Sequence, residues 1–119
     1  MKRGKIQLKR AYDQPERSDG YRVLVDRLWP RGLKKEDAQL DAWMKNAAPS
    51  PDLRKWFGHD PQKWDAFSKA YHQELEHSEH LASLLASIEQ HKTVTLVYAA
   101  KDSSHTHALV LKKFLETQF

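Results

Sequence analysis

Arg22-Val23-Leu24-Val25-Asp26-Arg27-Leu28-Trp29-Pro30-Arg31-Gly32 is the stretch that decides the fold. From Tyr21 to Asp26 it reads as a buried strand, apolar and rich in β-branched residues. It then breaks into Trp29-Pro30-Arg31-Gly32. Pro30 has no N–H to give to a ladder and Gly32 permits a tight bend, so the strand ends there. Val94-Thr95-Leu96-Val97-Tyr98-Ala99-Ala100-Lys101-Asp102 repeats the form, an apolar run that ends in charge. In a parallel α/β sheet, ligands bind in the crevice beyond the strand carboxyl ends. Both breaks deliver side chains that bind anions or move protons: Arg27, Arg31, Lys101 and Asp102.

Between and around these runs the punctuation is helical. Ile6 and Leu8 alternate with polar neighbours and predict a first strand from Lys5 to Arg10, followed by a turn at Ser18-Asp19-Gly20. Lys34 to Asp37 suits one helical turn. Leu40 to Lys45 fits a short edge strand and a helix equally well. Ser50-Pro51-Asp52 is a helix start, with serine as cap, proline in the first turn and an acid behind it. That helix ends at Gly58. Asp60 and Pro61 open a longer helix whose stripe is Trp64, Phe67, Tyr71 and Leu75. A third helix presents Leu81, Leu84, Leu85 and Ile88. The last runs from about His105 to Leu115 and buries Ala108, Leu111 and Leu115. The pattern predicts one α/β domain over 1–119, with a small, largely parallel sheet of about 3–5 strands flanked by helices. A helical insertion, about 51–91, separates the second strand from the last, and a Rossmann-like topology is compatible with this order.

Composition removes whole classes of function. The 119 residues contain no cysteine, which excludes disulfides, thiolate nucleophiles and cysteine-ligated metal centres. No apolar stretch follows the charged Met1–Lys5, so no secretory signal is expected. None approaches the roughly 20 apolar residues of a membrane span, and a cytoplasmic location is the expectation. The formal net charge of +4 invites a nucleic-acid partner. Acids are interspersed with bases, however, as in Lys34-Lys35-Glu36-Asp37, which is the pattern of a solvated surface.

The candidate site residues follow from the strand ends. Arg27 and Arg31 are guanidinium forks suited to phosphate or carboxylate, and Trp29 between them offers a stacking face. Lys101, Asp102, Ser103, Ser104, His105, Thr106 and His107 form a polar loop entering the last helix, where free N–H groups favour anions. Ser104 and Thr106 are candidates both to bind a ligand and to cap the helix. A helix dipole biases His107 toward its neutral form, so His107 and Asp102 are the candidate acid–base pair. Asp26 is expected to pair structurally; His59, at the junction of two helices, could reach the cleft as part of a lid, but the reading that leaves it outside is preferred. His77 and His80 have metal-ligand spacing without a third ligand, so no metal is assigned. The loop lacks the glycines of a P-loop, and no cofactor motif appears.

At Val25–Gly32 the chain resembles the YeaO-like family of small bacterial proteins, which share a domain of unknown function. The resemblance continues through Ala48-Pro49-Ser50, Leu53–Phe57, Tyr98–Asp102, His107-Ala108 and Val110-Leu111. It spans about Ile6 to Phe114. It implies a small α/β domain and brings no established catalytic residues. Family members tend to have Asn where this chain has Thr106, so any ligand-positioning role of that amide passes here to a hydroxyl or to His105.

Three functions stay open at this level. One is an enzyme, active or degenerate, for a small phosphate- or carboxylate-bearing substrate. Another is a ligand-sensing or interaction module with the same pocket and no chemistry. The third, a nucleic-acid accessory using exposed tryptophans, is disfavoured by the mixed charge.

Overall fold

The structure is a computed structural model that describes residues 5–102 and 104–118. Ser103 and Met1–Gly4, which figure in the sequence reading, lie outside the described residues. Four strands, β1 (Lys5–Arg10), β2 (Tyr21–Leu24), β3 (Ala42–Trp43) and β4 (Thr93–Tyr98), form one sheet in the order β1-β4-β2-β3. Every pairing is parallel. Val23 lies opposite Leu96 and Leu24 opposite Val97, so β2 and β4 run side by side and discharge their charged ends at the same edge. Leu40–Lys45 turns out to be neither a full strand nor an α-helix. Ala42 and Trp43 pair with β2, and Lys45–Ala47 then close a 3-10 turn.

Among the described residues the α-helices are α1 (Lys35–Ala38), α2 (Pro51–Phe57), α3 (Trp64–Glu76), α4 (Leu81–Gln90) and α5 (His107–Glu116). The insertion of α2, α3 and α4 falls between β3 and β4, one short strand later than the simplest reading of the sequence. Its caps are the expected ones. The Ser50 hydroxyl accepts from Leu53 N–H and Asp60 accepts from Gln62 N–H, while Gly58 takes the left-handed conformation that closes α2.

Strand alternation splits the sheet into two faces. Ile6, Val23, Val25, Val94, Leu96 and Tyr98 join the larger core, with Phe67, Tyr71, Leu75, Leu84, Ile88, Leu111 and Leu115 from the helices. Leu24 and Val97 face the other way, against Ala11, Trp29, Leu33 and Leu40. Trp64, expected in the core, is only half-buried, because it sits in the first turn of α3 where the apolar stripe meets the surface. One glycine is indispensable. Gly20 has φ +65°, and a Cβ there would lie 2.4 Å from the carbonyl oxygen of Thr93. Among the described residues no helix is long and apolar enough to cross a membrane.

Candidate functional site

Beyond the carboxyl ends of β2 and β4 the chain leaves a cleft of about 740 Å³. Arg27, Trp29, Arg31, Lys101, Asp102, Thr106 and His107 all line it. Ser104 does not; it is exposed, and its N–H donates to Asp102 Oδ1 at 2.9 Å. The cleft also takes Asp26, Arg54, His59 and His105, which reach it from the end of β2, from α2, from the α2–α3 junction and from the last loop.

His107, the first residue of α5, meets Asp26 rather than Asp102. Its Nε2 stands 3.0 Å from the Val25 carbonyl oxygen and 3.3 Å from Asp26 Oδ1. A carbonyl only accepts, so Nε2 carries the proton. One N–H serves two oxygens, and the shorter contact takes it. Asp26 Oδ2 accepts from Ala99 N–H at 2.9 Å, whereas Oδ1 is buried with no hydrogen-bond donor among the described residues. Burial pushes the Asp26 carboxyl above the usual carboxylate range, opposed by His107, the Ala99 N–H, Arg54 and His59. Burial likewise holds the His107 imidazole below its ordinary value, opposed by the Asp26 charge. His107 is therefore neutral at pH 7, chiefly through desolvation, where the sequence pointed to the helix dipole.

Asp102 has a different occupation. Its Oδ1 accepts from the N–H groups of Ser104 and His105, and its Oδ2 meets His105 Nδ1 at 2.8 Å. The His105 contact first, then the Ser104 N–H, hold its carboxyl below the usual range against a smaller burial cost. It organises the loop. Thr106 is buried, and its hydroxyl caps α5 by accepting from Ala108 N–H.

The cations are unequal. Arg27 donates through Nη2 to the Pro49 carbonyl at 3.2 Å and reaches that of Ala48 at 3.5 Å, so it ties β2 to the wall of the cleft. That wall is itself anchored to α3, by Tyr71 donating to the Ala47 carbonyl and by Glu74 accepting from Ser50 N–H and Oγ. Arg31, Arg54 and Lys101 make no ion pair among the described residues. His59 adopts φ +58° directly after Gly58, a conformation uncommon outside glycine and frequent at functional positions. No group of three or more His, Asp or Glu among the described residues is disposed to hold a metal ion.

The strand-end residues named from the sequence line one cleft, but two of their partners were not legible there. The pairing of Asp26 with His107 is tertiary and leaves no local signature. Arg54 lies one helical turn past the Ser50 cap, at i+4, and only the packing of α2 against the sheet edge brings it to the cleft.

Comparison with known proteins agrees with the motif-level resemblance. The family model described as the inactive DUF488-N3 subclade matches residues 5–119. The protein printed as "Uncharacterized protein YeaO" of Escherichia coli K12 is 47% identical over 112 residues, which are 94% of this chain and 97% of that protein. "Uncharacterized protein Mb3100c" of Mycobacterium bovis and "Uncharacterized protein Rv3073c" of Mycobacterium tuberculosis are each 39% identical over 111 residues, 93% of both chains. No solved structure matches.

Proposed function

The chain belongs to the inactive DUF488-N3 subclade, and from that premise we propose a non-catalytic module that binds a small phosphate- or carboxylate-bearing ligand at the carboxyl edge of its sheet. One observation carries the reading. The cleft holds four cationic side chains, Arg27, Arg31, Arg54 and Lys101, against two carboxylates, Asp26, which accepts from Ala99 N–H, and Asp102, which is taken up by its own loop. Arg31, Arg54 and Lys101 are exposed around the concavity, and cations in excess of acids about a cleft favour an anion there. The description of the family as inactive favours binding over turnover. So does His107, whose one Nε2 proton is committed to the Val25 carbonyl.

Thermal melting in a titration of inorganic phosphate tests this. The wild-type chain is expected to gain stability in a saturable way, by linkage to the folded state. Excluded-ion effects also raise melting temperature, but without saturation and without needing the cleft. Arg31→Ala combined with Arg54→Ala is the informative variant, since Arg27 also holds backbone carbonyls. Identical responses from wild type and the double variant would overturn the anion site. Steady turnover of a phosphoester probe by the purified chain would overturn the non-catalytic assignment.

A further inference from the structure

Large apolar side chains stand exposed at four places among the described residues, and two of the four, Tyr12 at 46% and Leu28 at 59%, line the cleft. They come from different loops, one after β1 and the other after β2. Tyr12 is held on its edge and on its face. Its hydroxyl donates to the Arg31 carbonyl at 2.8 Å, and the Arg10 guanidinium lies over its ring at 5.3 Å. Arg10 is itself fixed, donating to the Ala100 and Ala99 carbonyls at 3.0 and 3.2 Å. An exposed ring held this way has already given up the freedom that would otherwise oppose capture of a ligand. Trp29 and Phe57 also line the cleft, and the Trp29 indole nitrogen is occupied by the Leu33 carbonyl at 2.8 Å, so only its apolar surface is left to offer. Inorganic phosphate fills a small part of about 740 Å³, a volume within the range of sites for organic ligands.

Resting on the reading that the cleft takes an anion, we propose that its occupant is an aryl anion: an aromatic ring carrying one phosphate or carboxylate. The ring lies against Tyr12, Leu28 and Trp29, and the charged end goes to Arg31, Arg54 and Lys101. The apolar wall supplies contact area and the cations supply orientation, the usual division of labour in small-molecule sites. Aromatic neighbours favour an aromatic partner because offset and edge-on ring contacts add to the area covered.

Calorimetric titration of the full chain with inorganic phosphate, phenyl phosphate and neutral phenol, at matched ionic strength, tests the class. Phenyl phosphate is expected to bind at least about ten-fold tighter than either inorganic phosphate or phenol, since it alone engages both halves of the site. Leu28→Ser, at a position 59% exposed, is expected to reduce the preference of phenyl phosphate over inorganic phosphate by about three-fold or more. Equal affinities for phosphate and phenyl phosphate would overturn the aryl class while leaving the anion site standing. An undiminished preference in Leu28→Ser would remove this wall from the site. Absence of saturable binding by either phosphate probe would overturn the underlying reading itself, and the aryl class with it.

Discussion

Strand β2 is flanked by two acids, and the chain treats them in opposite ways. Asp19, just before the strand, is 4% exposed and saturated with donors. It accepts from Arg22 Nη1 at 2.6 Å, from Glu16 N–H at 2.9 Å and from Lys9 Nζ at 3.1 Å. Burial works against its charge, yet the Glu16 N–H, Lys9 and Arg22 together hold its carboxyl below the usual carboxylate range. Asp26, just after the strand, has one oxygen satisfied and one without a donor, and burial pushes its carboxyl up. A saturated buried carboxylate locks structure. An under-satisfied one beside a neutral histidine is what functional sites keep, because nearly all other buried polar groups find partners. The candidate cleft of about 740 Å³ opens at the second, while Asp19 borders a smaller recess of about 490 Å³.

The largest expected effect breaks the comparison if it fails. Arg22 is 4% exposed. Besides Asp19 it holds the carbonyls at the end of α1, donating through Nη2 to Ala38 at 2.8 Å and through Nε to Gln39 at 3.2 Å. Arg22→Met should cost about 3–5 kcal/mol, the usual consequence of stranding one member of a buried ion pair. Arg31→Met, at the cleft end on an exposed side chain, should stay within about 0.5 kcal/mol. Urea midpoints for the two variants make the measurement. Similar losses would mean that the carboxyl end is as structural as the amino end, and the cleft would lose its claim to be a site.

The same contrast explains what could be read from sequence. β1 is Lys5–Arg10 as its alternation predicts, and α2 ends at Gly58, because both signals are local. The parallel pairing of β2 with β4 was legible too, since two apolar runs separated by helices have few other solutions. The two residues of β3 were not, because a strand so short has no period to read. Nor was the Asp19–Arg22–Lys9 cluster recognised, although a signal existed: one arginine inside Tyr21-Arg22-Val23-Leu24-Val25 must be buried, and a buried guanidinium needs an acid nearby. Asp26 with His107 had no comparable clue. Their meeting depends on where α5 begins relative to the end of β2, which only the packed sheet determines.

Acid titration sharpens the comparison at intermediate size. Asp19 has a folded value below 3.8, so its contribution is present above pH 3.8 and is lost as pH falls from there toward the folded value. Asp26 has a folded value above 3.8. The folded state therefore takes the proton first, and the cost of its buried charge is relieved as pH falls through the folded value toward 3.8. Asp19→Asn should lose about 1.5–3 kcal/mol at pH 7, as expected for hydrogen bonds to a charged group. Asp26→Asn should stay within about 1 kcal/mol of wild type at pH 7, since an amide oxygen still accepts from Ala99 N–H and the buried charge is gone. Chemical unfolding at pH 7, 5 and 3.5 reads both. Equal losses at pH 7 would show that Asp26 is as structural as Asp19.

The smallest effect tests whether the carboxyl-end pair is coupled to the cleft. Burial sets His107 below 6.5, and the Asp26 charge is the largest influence opposing it. As pH falls through 6.5 the unfolded chain takes this proton first, so stability is lost between 6.5 and the folded value and not above. Removing the opposition in Asp26→Asn should move the His107 midpoint further down. Arg54 and His59 act on His107 in the same direction as burial, so an anion bound at Arg54 should move the midpoint up in the wild-type chain. The His107 ring-proton shift, followed by NMR with and without phosphate, resolves both movements. An unchanged midpoint in Asp26→Asn would uncouple the pair. A phosphate-induced rise that persists in Arg54→Ala would place the anion elsewhere than beside the acid that β2 leaves unsatisfied.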